Sequence, residues 1–317
     1  MGFAGYTDTI YIKTNALEWI PDNKGGGPAT PVPSDIIIER WFSPVANHPY
    51  VFQERYKITH IGSDRHANAS NAVPSYEISA VQFNQFDFYT GNKPGTAAAP
   101  TVLPTAQLAQ YPAIGTVEWI SEYWGGFSNQ QGTGFAAYSP QAFPYAAPSQ
   151  ATTDPTDQEL DFAFLTPFSF EPNTSVQFDT FLMLGNYKNL QTEMYDIKTA
   201  LGAFPDIAPP AGDLNADPAS GSTVSGTISI DGWAFDSVSS TTQVALYVDN
   251  VLTSSGVANI TRPDIAVAYP GAPSNPAFHF ALDTTTLTNG VHTIEVRATD
   301  ASGNVGVLPH RIVTVTN

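Results

Sequence analysis

The sequence contains no cysteine, and only 12 of its 317 residues are Lys or Arg. The first absence excludes a disulfide scaffold, a thiol nucleophile, Cys-ligated zinc and an iron–sulfur cluster. The second argues against a nucleic-acid partner, because phosphate binding needs clustered Lys and Arg and here they are spread thinly. No apolar run approaches the about 18 residues of a membrane-spanning helix. Charged residues make up 13% of the chain, against about 25% in an average soluble domain. Of these, 29 are acidic, for a net charge of −17. The opening residues MGFAGYTDT carry neither a basic stretch nor a long apolar one and do not read as a signal peptide, although Phe3-Ala4-Gly5 could be the remnant of a cleavage site.

What is present is apolar, aromatic and strongly punctuated. The 42% hydrophobic and 12% aromatic residues suffice for a large core, and 24 Gly and 26 Pro break the chain into short pieces. The stretch Phe204–Pro218, rich in Pro, Asp and Ala, reads as a linker. It predicts a first domain over 1–204, a linker over 205–217 and a second domain over 218–317. Both parts are acidic, with −11 before residue 209 and −6 after it.

The first part reads mainly as strands: Thr7–Lys13, Asp35–Phe42, Tyr50–Ile61, Tyr76–Tyr89, Thr116–Trp124, Leu160–Phe164 and Ser175–Leu184. Lys24–Pro33, Gly91–Pro104 and Gly125–Pro155 read as loops, the last long, aromatic and ordered. One segment differs. Leu190, Met194, Ile197 and Leu201 fall on one face of a helix over Tyr187–Leu201, with Gly202 just past its end. The spacing predicts a single helix covering an open end of a β-sandwich or jelly roll.

The second part has short alternating strands with turn signals, a β-sandwich pattern. Val244, Leu246 and Val248 point inward, as do Phe278, Phe280 and Leu282, and Ile294, Val296 and Ala298. Trp233 reads as core between the sheets. Asn289-Gly290 reads as a tight hairpin with two left-handed residues, Arg262–Asp264 as an ion pair, and Asp300 and Asn304 as the brackets of a turn. The strings Gly232-Trp-Ala-Phe-Asp236, Val248-Asp249, Arg262-Pro-Asp264 with Tyr269-Pro-Gly271, Leu282–Gly290 and Ala298–Asn304 resemble a bacterial immunoglobulin-like domain over about residues 216–317. The resemblance implies a secreted or surface protein. It implies no particular activity, because such modules accompany hydrolases, adhesins and structural proteins alike.

Three constellations could carry chemistry. His48, Arg55, Tyr56 and His60 lie in the one basic, imidazole-containing segment, with His66 just beyond. A lyase would use such an arginine to neutralise a uronate, and a tyrosine or histidine as base and acid. The alternative is that Arg55 and Lys57 pair with Glu39 and Glu54 across neighbouring strands. Glu118 and Glu122 could serve glycoside hydrolysis. On a single strand they stand about 13 Å apart, too far for the about 5–9.5 Å of a carboxylate pair, so a partner from another strand is needed. Around them Trp119, Tyr123 and Trp124 could form a stacking platform for sugar rings, with Tyr138 as a further candidate; the alternative places Trp119 and Tyr123 in the core and leaves Trp124 exposed beside the glutamates. Asp154, Asp157, Glu159 and Asp161 form an acidic loop whose oxygens would suit calcium, and no other cofactor is called for. No phosphate-binding loop and no Gly-x-Ser-x-Gly elbow occurs.

The expected protein is therefore all-β, two-domain and extracellular. The leading reading is a noncatalytic protein that binds a polysaccharide or cell-surface glycan, or assembles with itself or other chains. The rivals are a polysaccharide lyase or glycoside hydrolase with an accessory domain, and a jelly-roll shell or filament subunit.

Overall fold

A computed structural model of the chain describes residues 2–6, 9–17, 33–79, 82–90, 99–110, 118–129, 133–143, 145–154, 157–269 and 271–317. The chain divides into two compact units. The first comprises Met1–Arg65, Ala72–Leu165 and Phe170–Pro205, and the second His66–Asn71, Thr166–Ser169 and Asp206–Asn317. Among the described residues no helix is long and apolar enough to cross a membrane.

Fourteen strands precede the long helix: β1 (Gly2–Tyr6), β2 (Thr9–Leu17), β3 (Pro33–Val45), β4 (His48–His60), β5 (His66–Ser79), β6 (Gln85–Phe88), β7 (Thr101–Pro104), β8 (Ala109–Gln110), β9 (Glu118–Trp119), β10 (Trp124–Ser128), β11 (Thr133–Tyr138), β12 (Tyr145–Asp154), β13 (Asp157–Phe170) and β14 (Ser175–Asn186). They form a nine-stranded sheet in the order β1-β2-β3-β4-β14-β11-β10-β6-β7 and a smaller one, β5-β13-β12-β8, with β9 on β12. The two sheets share an aromatic core. The Phe162 ring of β13 lies 5.4–5.7 Å from those of Tyr76, Phe86 and Phe127. Phe164, Leu160 and Ile120 are fully buried beside it.

The other face of the large sheet is also apolar where β14, β11 and β10 meet. Alternation sends Thr180 and Phe178 one way and Phe181 and Met183 the other, and all four are buried. Helix α1 (Tyr187–Leu201) follows β14 directly and covers that second face with Met194 and Ile197, both 1% exposed. The helix spans the residues that the spacing predicts, and Gly202, at φ 72°, closes it. It lies on the outer face of the sheet, not over an open end of the sandwich.

Four other expectations change in this unit. Of Gly91–Pro104, read as a loop, Thr101–Pro104 is β7 and 91–98 lie outside the described residues, as do 24–32 of the loop read over Lys24–Pro33. Tyr76–Tyr89 is not one strand, because β5 ends at Ser79 and β6 starts at Gln85. Thr116–Trp124 is broken by a turn at Ser121-Glu122. Gly125–Pro155 is no loop: it contributes most of β10 and all of β11 and β12. Its Gly and Pro content concealed the pairing, and Gly126 and Gly134 sit where an added Cβ would meet backbone or side-chain atoms of the neighbouring strand within 2.4–2.9 Å.

The second unit is a two-sheet sandwich. One sheet joins β15 (Ala211–Leu214), β17 (Thr227–Phe235) and β20 (Ala277–Asp283). The other has the order β16-β23-β21-β18-β19, with β22 on β21. These are Thr223–Val224, Arg311–Val315, Gly290–Asp300, Thr241–Val248, Val251–Gly256 and Val305–Val307. The stretch read as a linker thus holds β15, paired with β17. The inward residues Val244, Leu246, Val248, Phe278, Phe280, Leu282, Ile294, Val296 and Ala298 form the core as the alternation predicts.

Trp233 is not in that core. It is half-buried, stacks on Phe235 and meets the tilted ring of Tyr269, next to the short helix α2 (Pro263–Ala268). The turn with two left-handed residues is Asp249-Asn250 (φ 48° and 65°), between β18 and β19; at Asn289-Gly290 only the glycine is left-handed. The Arg262–Asp264 pair forms, at 2.8 and 2.7 Å.

His292 pins the Asp249-Asn250 turn. Its Nδ1 lies 2.6 Å from Asp249 Oδ2 and its Nε2 lies 2.8 Å from the Thr288 carbonyl. Both ring nitrogens face acceptors, so the doubly protonated ring fits best. The Thr288 carbonyl and Asp249 raise its pKa above 6.5 against the opposing effect of burial. The stabilisation is complete below the unfolded value of about 6.5 and is lost as pH rises through the higher folded value. The difference in Tm between the wild type and His292→Gln should therefore be largest near pH 5.5 and shrink toward pH 9. A difference independent of pH would show that the ring is not held protonated.

Candidate functional site

Strand β4 carries His48, Arg55, Tyr56 and His60. It is 13 residues long, so its two histidines stand about 40 Å apart at 3.3 Å per residue. From Glu54 onward, Glu54, Tyr56, Ile58 and His60 are buried and Arg55 faces outward. The four residues do not converge, and each has its own partners. Arg55 donates to both Asp179 oxygens on β14, at 2.7 and 2.9 Å, directly across the ladder. Lys57 pairs with Glu39 at 3.7 Å, as the cross-strand alternative expects. Glu54 is instead taken by Arg40, whose Nε lies 2.6 Å away.

Tyr56 is buried and stacks on Phe178 with centroids 4.9 Å apart. Burial and then the Glu54 charge push its pKa far up, with Arg40 opposing. A tyrosine base needs the opposite shift. Glu54 is fully buried, and it also accepts from the Tyr76 hydroxyl at 3.1 Å.

His60 has no exposed surface. Its Nδ1 faces the Glu171 carbonyl at 3.0 Å and its Nε2 faces Asp35 at 2.9 Å and Asp64 at 3.6 Å. Burial opposes its protonation, but the Glu171 carbonyl, Asp35 and Asp64 outweigh it and raise its pKa. His48 pairs through Nδ1 with Glu193 of α1. The side chain of His66 lies outside the described residues.

The expected sugar platform is core. Trp124 is 1% exposed and Tyr138 2% exposed, both under α1. Glu122 is buried and accepts from Trp124 Nε1 at 3.0 Å and from the Tyr195 hydroxyl of the helix at 2.5 Å. Tyr123 is half-buried in the left-handed region (φ 63°). That turn rotates Trp124 onto the helix face, which is why a parity count along one strand placed it outside. Glu118 is half-buried on a separate strand, with its pKa raised by burial. Of the acidic calcium candidates, Asp157, Glu159 and Asp161 alternate along β13 and Asp154 pairs with Asp157. Only the side chain of Asp161 is described, and it is half-buried.

An open site does exist where the helix cover ends. A groove of about 570 Å³ lies between the start of β4, the end of β14 and α1, lined by Tyr50, Val51, Leu184, Asn186, Thr192 and Glu193 among others. Tyr50 is 64% exposed and Leu184 46%. The groove offers an aromatic face, an aliphatic wall and a carboxylate held by His48. Sequence reasoning singled out His48 but not Tyr50 or Glu193, because Glu193 is 145 residues away and only the docked helix brings it close.

Residues 215–296 match the family described as bacterial Ig domain. This part of the Ig-like unit covers the strands from β16 into β21. No curated protein matches the chain. Among solved structures, an endo-β-1,4-mannanase from Thermotoga petrophila is similar at 17% identity and TM-score 0.26, over 41% of this chain and 24% of that one. An α-galactosidase from Lactobacillus brevis is similar at 11% identity and TM-score 0.36, over 59% and 25%. A polysaccharide lyase is similar at 8% identity and TM-score 0.25, over 88% and 34%. This chain thus spans about a third or less of each of those proteins.

The two charged pairs on β4 should respond differently to mutation. Arg55→Ala removes an exposed pair and should cost no more than about 1 kcal/mol. Glu54→Gln removes the charge that Arg40 pairs with and replaces one of the two buried acceptor oxygens by an NH2 that faces a donor, and should cost on the order of 3 kcal/mol. Urea unfolding of the two variants measures both. Equal costs would mean that Glu54 does not anchor the sheet.

Proposed function

We propose that the protein is an extracellular, noncatalytic binding protein that takes an uncharged or weakly charged polysaccharide in the Tyr50 groove, with the Ig-like unit as an accessory module. The observation that carries this reading is the separate pairing of His48, Arg55, Tyr56 and His60. Each is satisfied by its own neighbours, and together they surround no common space that could hold a reacting bond. The groove supplies what reversible sugar binding uses: an exposed aromatic face and a few polar groups in a concave, partly apolar surface. The net charge of −17 opposes a polyanionic ligand. The bacterial Ig match is consistent with the extracellular setting.

A glycan array and a polysaccharide turnover screen on the full chain test this together. The expected result is binding without products, weakened about tenfold or more in Tyr50→Ala. New reducing ends or unsaturated products would favour the lyase or glycosidase reading. Unchanged binding by Tyr50→Ala would remove the groove from the proposal.

A further inference from the structure

The Ig-like unit brings three carboxylates together. Asp206 lies just ahead of β15, Asp236 ends the Gly232–Asp236 string directly after β17, and Asp300 is the last residue of β21. One oxygen from each lies within 4.8 Å of the others. Asp236 is 8% exposed, and its Oδ2 is buried with no hydrogen-bond partner. Its Oδ1 is already held, accepting from the amides of Val238 at 2.7 Å and Ser239 at 2.6 Å. A buried carboxylate oxygen without a donor is costly, and beside two further acids it is costlier still. The nearby hydroxyls of Ser237 and Thr241 are also buried without partners. A cavity of about 330 Å³ borders the cluster on the Asp236 side, with Ser239 and Thr241 in its lining but not Asp206 or Asp300.

We propose that Asp206, Asp236 and Asp300 bind a calcium ion in the second unit. The donors are all hard oxygens, with neither nitrogen nor sulfur among them, which suits calcium and disfavours zinc or copper. Water would complete the six- to eight-fold coordination of such an ion. Asp236 Oδ2 is the one oxygen of the three acids without a donor; the Asn304 side-chain amide donates to Asp300 Oδ2 at 2.8 Å and the Ser302 hydroxyl to Asp206 Oδ2 at 3.1 Å. Asp300 Oδ1 accepts from the amides of Ser302 and Asn304, both at 2.8 Å. Asp206 Oδ1 accepts from the Ala208 amide at 3.2 Å. The ion would meet carboxylates already oriented. A cation beside Asp206 and Asp300 would offset the cost of burying Asp236.

Isothermal titration of the full chain with calcium, after chelator treatment, tests the site, and scanning calorimetry measures its effect on stability. The wild type should bind calcium, and its Ig-like transition should rise on the order of 10 °C at about 100 times the Kd. Asp236→Asn should lose one equivalent of calcium and this rise, with magnesium a weak substitute. Asp206→Asn, at a less buried position, should weaken the same binding step while remaining folded by circular dichroism. A wild type that binds no calcium, or variants that bind as many equivalents as tightly as the wild type, would overturn the site.

Discussion

The large sheet of the first unit has two faces that must both be kept from water, and this constraint shapes the rest of that unit. One face is covered by the smaller sheet through Phe162 and its aromatic neighbours. The other would expose Phe181, Met183, Trp124 and Tyr138 unless α1 lay across it. Burial of these four side chains is worth several kcal/mol at roughly 1.5–3 kcal/mol for each large apolar group. The helix is therefore an integral layer of the fold. Its presence turns Glu122 from a surface carboxylate into a buried acceptor for Trp124 and Tyr195. Its Thr192 and Glu193 form one side of the groove, with Pro49–Val51 of β4 and Leu184–Asn186 of β14 forming the others.

Strand alternation was legible wherever the strand was regular. Along Glu54–His60 and for the nine inward residues on β18, β20 and β21, a two-residue period assigned each side chain to its correct face, although Trp233, read as core, lies outside it. The helix was legible too, since Met194 and Ile197 mark its buried stripe. The reading failed where a single residue changed the direction of the chain. Tyr123, at φ 63°, rotates Trp124 under the helix, and no period in the sequence announces that turn. It failed again where function depends on distant partners. Glu193 meets His48 and Asp206 meets Asp300 only in the folded chain, and single-sequence spacing carries no information about such meetings. Gly-rich strands were read as loops because glycine weakens the strand signal even where close backbone approach requires it.

The missing cysteine leaves the Ig-like unit to be held by packing and polar clips. Arg262 reaches both Asp264 and Asn215, His292 ties the Asp249 turn to the Thr288 carbonyl, and Asn317 accepts from and donates to the Gly226–Thr284 corner. Each clip joins residues distant in sequence or fixes a turn. The acidic character of the chain has the same local texture. In the first unit the buried carboxylate Glu54 is matched by Arg40, whereas in the second Asp236 is crowded by two more acids.

The attachment of α1 by its buried stripe and by the His48–Glu193 pair has a kinetic consequence. The groove exists only while the helix is docked, because Thr192 and Glu193 form one of its sides. Anything seated there must leave before the helix can peel away, so occupancy adds directly to the free energy of that local opening. The amide protons of Thr192 through Lys198 would then exchange with solvent more slowly in proportion to ligand concentration, making the helix backbone a reporter for events at Tyr50.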